Sequence, residues 1–241
     1  MSRISPARRS RLAVAVALAL IAGIATLAPS TATAAPSQDA TTSSVSISAF
    51  EQIAIGTAHA CGIDDQADLY CWGRNDDGQL GTGTQDDELL PVPVAVAGTP
   101  LAGKDIDDVA TGASSTCALA TDDTLACWGD DDEGQLGNGG AAFSLVPTAV
   151  SVAGTPLDGA DIVDIDLNHK HVCALTSTGT MSCWGLGSVG QIGQGTQANA
   201  IVPTGVVTAG SDLDGKTIEA MAAGAFNTCA LATDDTVACW G

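Results

Sequence analysis

The sequence predicts an all-β protein, a β-propeller built from four-stranded blades, and three observations lead to this prediction. The four tryptophans of the chain are spaced 56 residues apart. The apolar segments between them are short, rich in β-branched or small residues, and lack the periodicity of a helix. Clusters of Gly, Pro and Asp separate these segments, as expected of turns. Because the middle strands of each sheet are apolar on both faces, each sheet must be covered on both sides, which stacked blades provide.

The same period runs through the rest of the chain without a gap. Eight cysteines form four pairs with a spacing of ten within each pair, and Trp-Gly follows every second cysteine. We therefore assign repeat units to residues 50–105, 106–161 and 162–217, with a partial fourth unit at 218–241. Three units and a start fall short of a closed ring, so we expect either that the natural chain continues beyond Gly241 or that copies of it self-assemble.

The second unit shows the predicted strands most clearly. A three-residue turn, Thr121-Asp122-Asp123, joins the two central strands. The four strands are predicted at residues 105–110, 116–120, 124–128 and 146–153.

Residues 1–34 have the organisation of a secretory signal peptide: a basic head, an apolar stretch and a small-residue cleavage pattern before Ala35. The pair Arg8-Arg9 leaves a twin-arginine signal open beside a general secretory one, and an uncleaved membrane anchor is the alternative interpretation. No cysteine precedes Cys61, which argues against a lipid anchor. Residues 35–49 are rich in Ser, Thr and Ala and are predicted to be a linker.

The composition of the 241 residues is that of a folded, acidic protein. Hydrophobic residues make up 45% of the chain, and 28 acidic residues stand against 8 basic ones, four of which lie within the first eleven positions. The mature chain would therefore be strongly negative, which argues against nucleic acid or an anionic membrane as a partner. We expect the partner to be another protein, of unknown identity.

The cysteine pairs predict disulfides within each unit. An even spacing of ten around a three-residue turn places both sulfurs on one face and directly across the hairpin. Export would supply the oxidising compartment, whereas reduced core thiols are the alternative. A zinc site would need pairs of cysteines or pairs of histidines with two to four residues between them, and no such pair occurs. The predicted bonds are Cys61 to Cys71, Cys117 to Cys127, Cys173 to Cys183 and Cys229 to Cys239.

The repeated motifs resemble those of a known family. The segments CWGRNDDGQLGTG from Cys71, CWGDDDEGQLGNG from Cys127 and CWGLGSVGQIGQG from Cys183 are similar to the repeat of the regulator of chromosome condensation family. That resemblance implies a seven-bladed propeller. Nuclear members of the family are guanine-nucleotide exchange factors that bind chromatin, but this chain is acidic, cysteine-paired and carries an export signal. Exported bacterial relatives, including a propeller-shaped protein inhibitor of β-lactamase, are the closer comparison and imply binding rather than catalysis.

Other polar motifs are predicted to be structural. The Gly-Gln-Leu-Gly loops lack the Lys and following helix of a phosphate loop, and their glutamines are expected to bond neighbouring backbone. The acidic runs 75–77 and 130–133 leave calcium open, although their spacing is not that of an EF-hand. His59 and His171 share one repeat position, taken by Ser115 in the second unit, which favours a polar structural role; His169 and His171 alternate along a predicted strand, a weak metal hint.

These considerations predict a secreted, non-catalytic binding module without cofactor or metal. Guanine-nucleotide exchange and an unrecognised propeller enzyme remain the alternatives. Two variable segments between the third and fourth strands of each unit are predicted to gather on one rim and to carry recognition, with Phe143 as aromatic anchor. The candidate binding residues are Arg74, Asp86, Asp87, Glu88, Phe143 and Leu186.

Overall fold

The computed structural model describes residues 49–140 and 142–241. The predicted signal peptide and almost all of the predicted linker lie outside the described residues. Within the described part every regular element is a β-strand. The same part of the chain holds no helix of the length and apolarity that a membrane span requires.

Fifteen strands form four antiparallel sheets, one for each repeat unit, which confirms the all-β propeller-type architecture. In each sheet the strands lie side by side in chain order, and the fourth sheet has three strands. The first blade comprises β1 (Phe50–Ile55), β2 (His59–Asp64), β3 (Leu69–Gly73) and β4 (Glu88–Pro93). The second comprises β5 (Ile106–Thr111), β6 (Ser115–Ala120), β7 (Leu125–Gly129) and β8 (Ser144–Ala149). The third comprises β9 (Ile162–Asn168), β10 (His171–Thr176), β11 (Met181–Gly185) and β12 (Ala200–Gly205), and the fourth β13 (Ile218–Ala223), β14 (Thr228–Ala232) and β15 (Val237–Trp240).

The central hairpin of each blade is closed by a disulfide. In the second blade Asp123 adopts a left-handed backbone with φ of 68°, and its N–H donates to the Ala120 carbonyl, so the predicted turn is present. The turn sets the register that places Cys117 opposite Cys127. All four predicted cysteine pairs are bonded in this way, and the described residues contain no free cysteine.

The core lies between blades rather than within one sheet. Leu80 and Leu101 of the first blade share one buried cluster with Val109, Ala126 and Trp128 of the second. Small residues such as Ala126 let the two sheets approach closely while the large indole fills the remaining space. Each blade therefore depends on its neighbour to bury its apolar faces.

The first strands of successive blades contact one another, which makes them the inner strands of the arrangement. Asp108 links three of them, because its carboxylate accepts hydrogen bonds from the Gln52 side chain at 2.5 Å and from the Ile165 N–H at 3.2 Å. Asp166 likewise accepts the Ala223 N–H at 2.8 Å. Part of the acidic composition thus serves to connect neighbouring blades.

The fourth strand of the second blade differs from its prediction at both ends. It begins at Ser144, two residues earlier than predicted, and ends at Ala149 rather than at residue 153. The difference arises because the Val150 N–H still donates to the Leu125 carbonyl, but the Ser151 N–H donates to Gly137 of the preceding loop. The chain leaves the sheet at this point, and turns follow.

Candidate protein-interaction rim

One end of the blades carries two kinds of loop, the turns between first and second strands and the longer loops between third and fourth strands. Backbone hydrogen bonds join them within each blade: the Asp130 N–H donates to Ser114 at 2.9 Å, and the Leu186 N–H donates to Lys170 at 2.8 Å. We call this end the loop rim. Its described segments are the turns at 56–58, 112–114, 169–170 and 224–227 and the loops at 74–87, 130–140 with 142–143, and 186–199.

Each long loop is built around a buried polar side chain. In the first blade the Asn75 amide donates to the carbonyls of Thr84 and Asp86, both at 3.0 Å, while its oxygen accepts the Leu80 N–H at 2.9 Å. The Gln79 side chain accepts the Asp77 N–H at 3.0 Å, so the predicted bonding of this glutamine to neighbouring backbone is present. The loops are therefore rigid supports for the side chains that they expose.

The second blade departs from the other two at a single capping position. In the first blade the Asp87 carboxylate accepts the Asn75 N–H at 2.7 Å, and in the third the Asn199 side chain accepts the Gly187 N–H at 3.0 Å. The equivalent residue of the second blade is Phe143, which has no acceptor to offer. Its ring is 57% exposed on the loop rim.

Asp131 occupies the place of Asn75 in the second blade. It is only 1% exposed, and its Oδ1 accepts the Leu136 N–H at 2.9 Å. Its Oδ2 is buried without a hydrogen-bond partner, because a carboxylate cannot donate to carbonyls as the Asn75 amide does. Burial raises the pKa of Asp131 and outweighs the opposing hydrogen bonds from the backbone N–H groups of Leu136 and Ala142; the nearby charge of Asp130 adds to the rise.

The described residues contain four basic side chains, and each of them is paired with an aspartate. On the loop rim, Arg74 lies 2.5 Å from Asp76, and Lys170 of the third blade lies 2.8 Å from Asp130 of the second. At the opposite end, Lys104 pairs with Asp122 and Lys216 with Asp234. All four Lys and Arg side chains of the described residues are thus neutralised by aspartates.

The predicted binding residues lie on the long loops of three different blades or, for Glu88, directly after one. Arg74 and Asp86 are exposed, Asp87 is used as the cap described above, and Glu88 is the first residue of β4. Leu186 is half-buried beside Lys170. The structure thus places all the candidates at the same end of the blades, and whether they bind a partner stays a prediction.

Sequence reasoning missed Phe226. This ring lies in the turn between β13 and β14, is 49% exposed, and packs against His169 with ring centroids 4.9 Å apart. The corresponding turns of the other blades carry Ala58, Ser114 and Lys170. An aromatic residue at a position that other units fill with small or polar residues was the available signal.

The histidine predictions divide into one confirmed and one wrong. His59 is buried, and its Nε2 lies 2.9 Å from the hydroxyl of Thr116 in the next blade; His171 bonds Thr228 in the same way. These are structural contacts between blades. The expectation that His169 and His171 share a strand face is wrong, because His169 lies in a turn with φ of 50°.

Acidic side chains of the run at 130–133 make contacts with other side chains of the protein. Asp130 pairs with Lys170, and the Glu133 carboxylate accepts the Asn199 amide of the next blade at 2.5 Å. Across residues 49–140 and 142–241, nowhere do three His, Cys, Asp or Glu side chains come together in a metal-binding group.

Comparisons with known proteins agree with this architecture. A family model described as "Regulator of chromosome condensation (RCC1) repeat" matches residues 66–119 and 179–231, and a second of the same description matches 50–79, 106–135 and 162–191. Together the two models match more than half of the chain. The human E3 ubiquitin-protein ligase HERC2 is 32% identical over 191 residues, which are 78% of this chain and 4% of that protein. The Arabidopsis thaliana ultraviolet-B receptor UVR8 is 29% identical over 79% of this chain and 41% of its own length.

Solved structures show the same fold. Human WBSCR16 superposes with a TM-score of 0.68 at 22% identity, covering 80% of this chain and 47% of that chain. Yeast RCC1 (Prp20), in a complex with Kap60, superposes with a TM-score of 0.66 at 20% identity, covering 80% and 43%. The chain therefore spans less than half the length of each of these four proteins.

Proposed function

The chain belongs to the regulator of chromosome condensation (RCC1) repeat family, and from that premise we propose that it is a secreted, non-catalytic module that binds another protein on its loop rim. The observation that carries this proposal is Phe143. At the same position, the first and third blades have Asp87 and Asn199, whose side chains accept a backbone N–H of their own loop. The second blade lacks this hydrogen bond and has an exposed aromatic ring instead. Exposed aromatic anchors on a rigid support are typical of binding hot spots.

The charge of the rim specifies the partner surface. Because Arg74 and Lys170 are already paired with aspartates, the free charge presented around Phe143 is negative. We infer a partner with a basic patch that surrounds an apolar pocket for the aromatic ring. Such an interface would associate faster at low ionic strength, since exposed charges are screened by salt.

Secretion is supported by the four disulfides, since such bonds persist in oxidising compartments. Cleavage after Ala34 would give a product that begins Ala-Pro-Ser-Gln. N-terminal sequencing of protein from the culture medium tests this, and a cell-retained product beginning at Met1 would contradict export.

The activities named for relatives are not transferred. Of these relatives, HERC2 is named as a ligase, but this chain corresponds to 4% of it. Yeast RCC1 provides support of another kind, since a protein of this fold is seen there bound to a second protein. Nucleotide exchange would further require a cytosolic GTPase that an exported protein does not meet.

The test is affinity capture from culture supernatant, followed by titration of the captured protein. The key variant is Phe143→Asn, which introduces the residue type that the third blade carries at this position. We expect it to weaken binding by at least tenfold without lowering the melting temperature, and Arg74→Ala to weaken it less. Phe226→Ala reports whether the second aromatic belongs to the same site. Unchanged affinity in Phe143→Asn would move the site away from this loop.

A further inference from the structure

Phe143 lies at a junction between the first and second blades that recurs between the second and third. At each junction a residue of the fourth strand lies over a glycine in the long loop of the preceding blade. A Cβ on Gly78 would come within 2.5 Å of Leu145 Cδ2. A Cβ on Gly134 would come within 2.7 Å of Ile201 Cγ2. Since both the glycines and their covering residues are 56 positions apart, the two junctions share one register.

The backbone of both junctions follows the same register. The Ser144 carbonyl lies 3.2 Å from the position that a Cβ on Gly78 would take, and the Ala200 carbonyl lies at the same distance from that on Gly134. Each junction therefore brings together the residue before its glycine and the residue before its carbonyl. These residues are Asp77 and Phe143 at the first junction, and Glu133 and Asn199 at the second.

At the second junction this pair forms a hydrogen bond between blades. The Asn199 amide donates to the Glu133 carboxylate at 2.5 Å. Its oxygen accepts the Gly187 N–H of its own loop at 3.0 Å. The carboxylate thus receives an N–H donor from the following blade.

At the first junction the carboxylate lacks this donor. The side chain of Phe143 carries no N–H or O–H and cannot replace the Asn199 amide. Arg74 of the same loop pairs with Asp76, and of the basic side chains that the structure describes none forms an ion pair with Asp77. A half-buried carboxylate therefore lies beside a ring that is 57% exposed.

We propose that this pair binds an arginine side chain of the partner, whose guanidinium stacks on the Phe143 ring and donates to the Asp77 carboxylate. The guanidinium N–H takes the place that the Asn199 amide holds at the second junction. Its positive charge is attracted to the face of the ring. An arginine satisfies both groups at once because its guanidinium is planar and carries its donors at the edge, whereas an ammonium has no flat face. The proposal rests on the rim function proposed above and names the contact residue of the partner.

The probe is the tripeptide acetyl-Gly-Arg-Gly-amide, added to the full chain. One control peptide carries citrulline, which has nearly the shape of arginine but no charge, and a second carries lysine. The chain has three phenylalanines, so labelled phenylalanine rings can be followed separately by NMR, and Phe143→Asn assigns the signal of interest. We expect the arginine peptide to shift the Phe143 signal in a saturable way and to leave Phe50 unshifted. It should bind at least tenfold more tightly than the citrulline peptide and several-fold more tightly than the lysine peptide.

Two matched variants test the carboxylate. Asp77→Asn removes the charge but keeps the backbone N–H that donates to the Gln79 side chain at 3.0 Å, so the loop is retained. We expect it to weaken binding of the arginine peptide at least fivefold. Glu133→Gln changes the equivalent carboxylate, which already has the Asn199 donor, and should leave the affinity unchanged. Equal melting temperatures of the two variants show that the comparison concerns binding.

Four results would overturn the proposal: no saturable shift of the Phe143 signal, equal affinity for the citrulline peptide, equal affinity for the lysine peptide, or unchanged affinity in Asp77→Asn. A shift of equal size at Phe226 would also overturn it, because it would indicate a general attraction of cations to exposed rings. The measurement needs no captured partner, so a failure to find a partner in the culture supernatant does not affect it. If Phe143→Asn weakens binding of a captured partner but the arginine peptide does not bind, only the assignment of arginine is wrong.

Discussion

The indole N–H of Trp128 donates a 2.9 Å hydrogen bond to the backbone carbonyl of Gln79, which lies 49 residues earlier and one blade away. Trp184 and Trp240 form the same bond with Gln135 and Gln191, both at 3.0 Å. A glycine directly beneath each ring makes room for it; a Cβ on Gly81 would lie 2.6 Å from the Trp128 nitrogen. The 56-residue period of tryptophans is thus a period of bonds between blades.

Replacement of Trp128 by Phe should lower the free energy of unfolding by about 1 to 3 kcal/mol, because it removes a buried hydrogen bond and leaves unfilled volume. Trp72→Phe is the matched control. Trp72 has no preceding blade within the described residues and stacks on Phe50, with ring centroids 5.6 Å apart. Urea unfolding measures both variants, and equal losses would show that the bond to Gln79 contributes little.

Stability should fall as the pH decreases from about 6.5 to about 4. The Thr116 hydroxyl donates a hydrogen bond to the Gln79 carbonyl, so the neighbouring His59 Nε2 must carry a hydrogen and donate to Thr116. The buried Nδ1 of His59 is therefore unprotonated, and it has no hydrogen-bond partner. Burial lowers the pKa of His59 to about 4, and that of His171 likewise. The unfolded chain therefore binds more protons in this window, and each histidine costs up to about 1.4 kcal/mol per pH unit.

Melting temperatures between pH 7 and pH 4 measure this dependence. A double variant, His59→Asn with His171→Asn, places the residue type of Asn227 at both positions and should flatten the profile. An unchanged slope in that variant would assign the acid sensitivity to other groups.

Asp131→Asn should stabilise the protein by about 1 kcal/mol at pH 7, because an amide can donate where the buried carboxylate Oδ2 has no partner. Burial raises the pKa of Asp131 in the folded state, so the folded protein holds its proton to higher pH than the unfolded chain does. Wild-type stability is consequently reduced as the pH rises through this range. The advantage of the variant should therefore shrink toward pH 3. Chemical denaturation at pH 3 and pH 7 checks it, and an advantage independent of pH would refute the explanation.

Intact mass before and after reduction should differ by eight hydrogens, and peptide mapping should find only the four bonds within hairpins. Removal of one bond, by Cys117→Ala with Cys127→Ala, should cost about 2 to 3 kcal/mol, as expected for a short closed loop. The cost is measured by denaturant unfolding against the wild type in oxidised form. Free thiols in the native protein or bonds between blades would contradict the pairing.

The sequence by itself determined the blades. The spacing of Cys61 and Cys71 around a short turn predicts their bond, because register across a hairpin depends only on local residue count. The bounds of the fourth strand of the second blade were predicted less accurately. This strand ends where the Ser151 N–H donates to the Gly137 carbonyl in a loop of the same blade, and that contact cannot be read from local sequence.

Only the tertiary structure decided which side chains are free to bind a partner. Asp87 and Phe143 hold the same repeat position, yet one caps its loop and the other faces solvent. Likewise, the sequence shows that Trp128 recurs but not that its partner is a backbone carbonyl of the previous blade. Several contacts between blades end on a backbone group, such as the Gln79 carbonyl or the Ile165 N–H, which is alike in almost every residue type. No pattern of residue types specifies these contacts, and only the packing of one sheet on the next does.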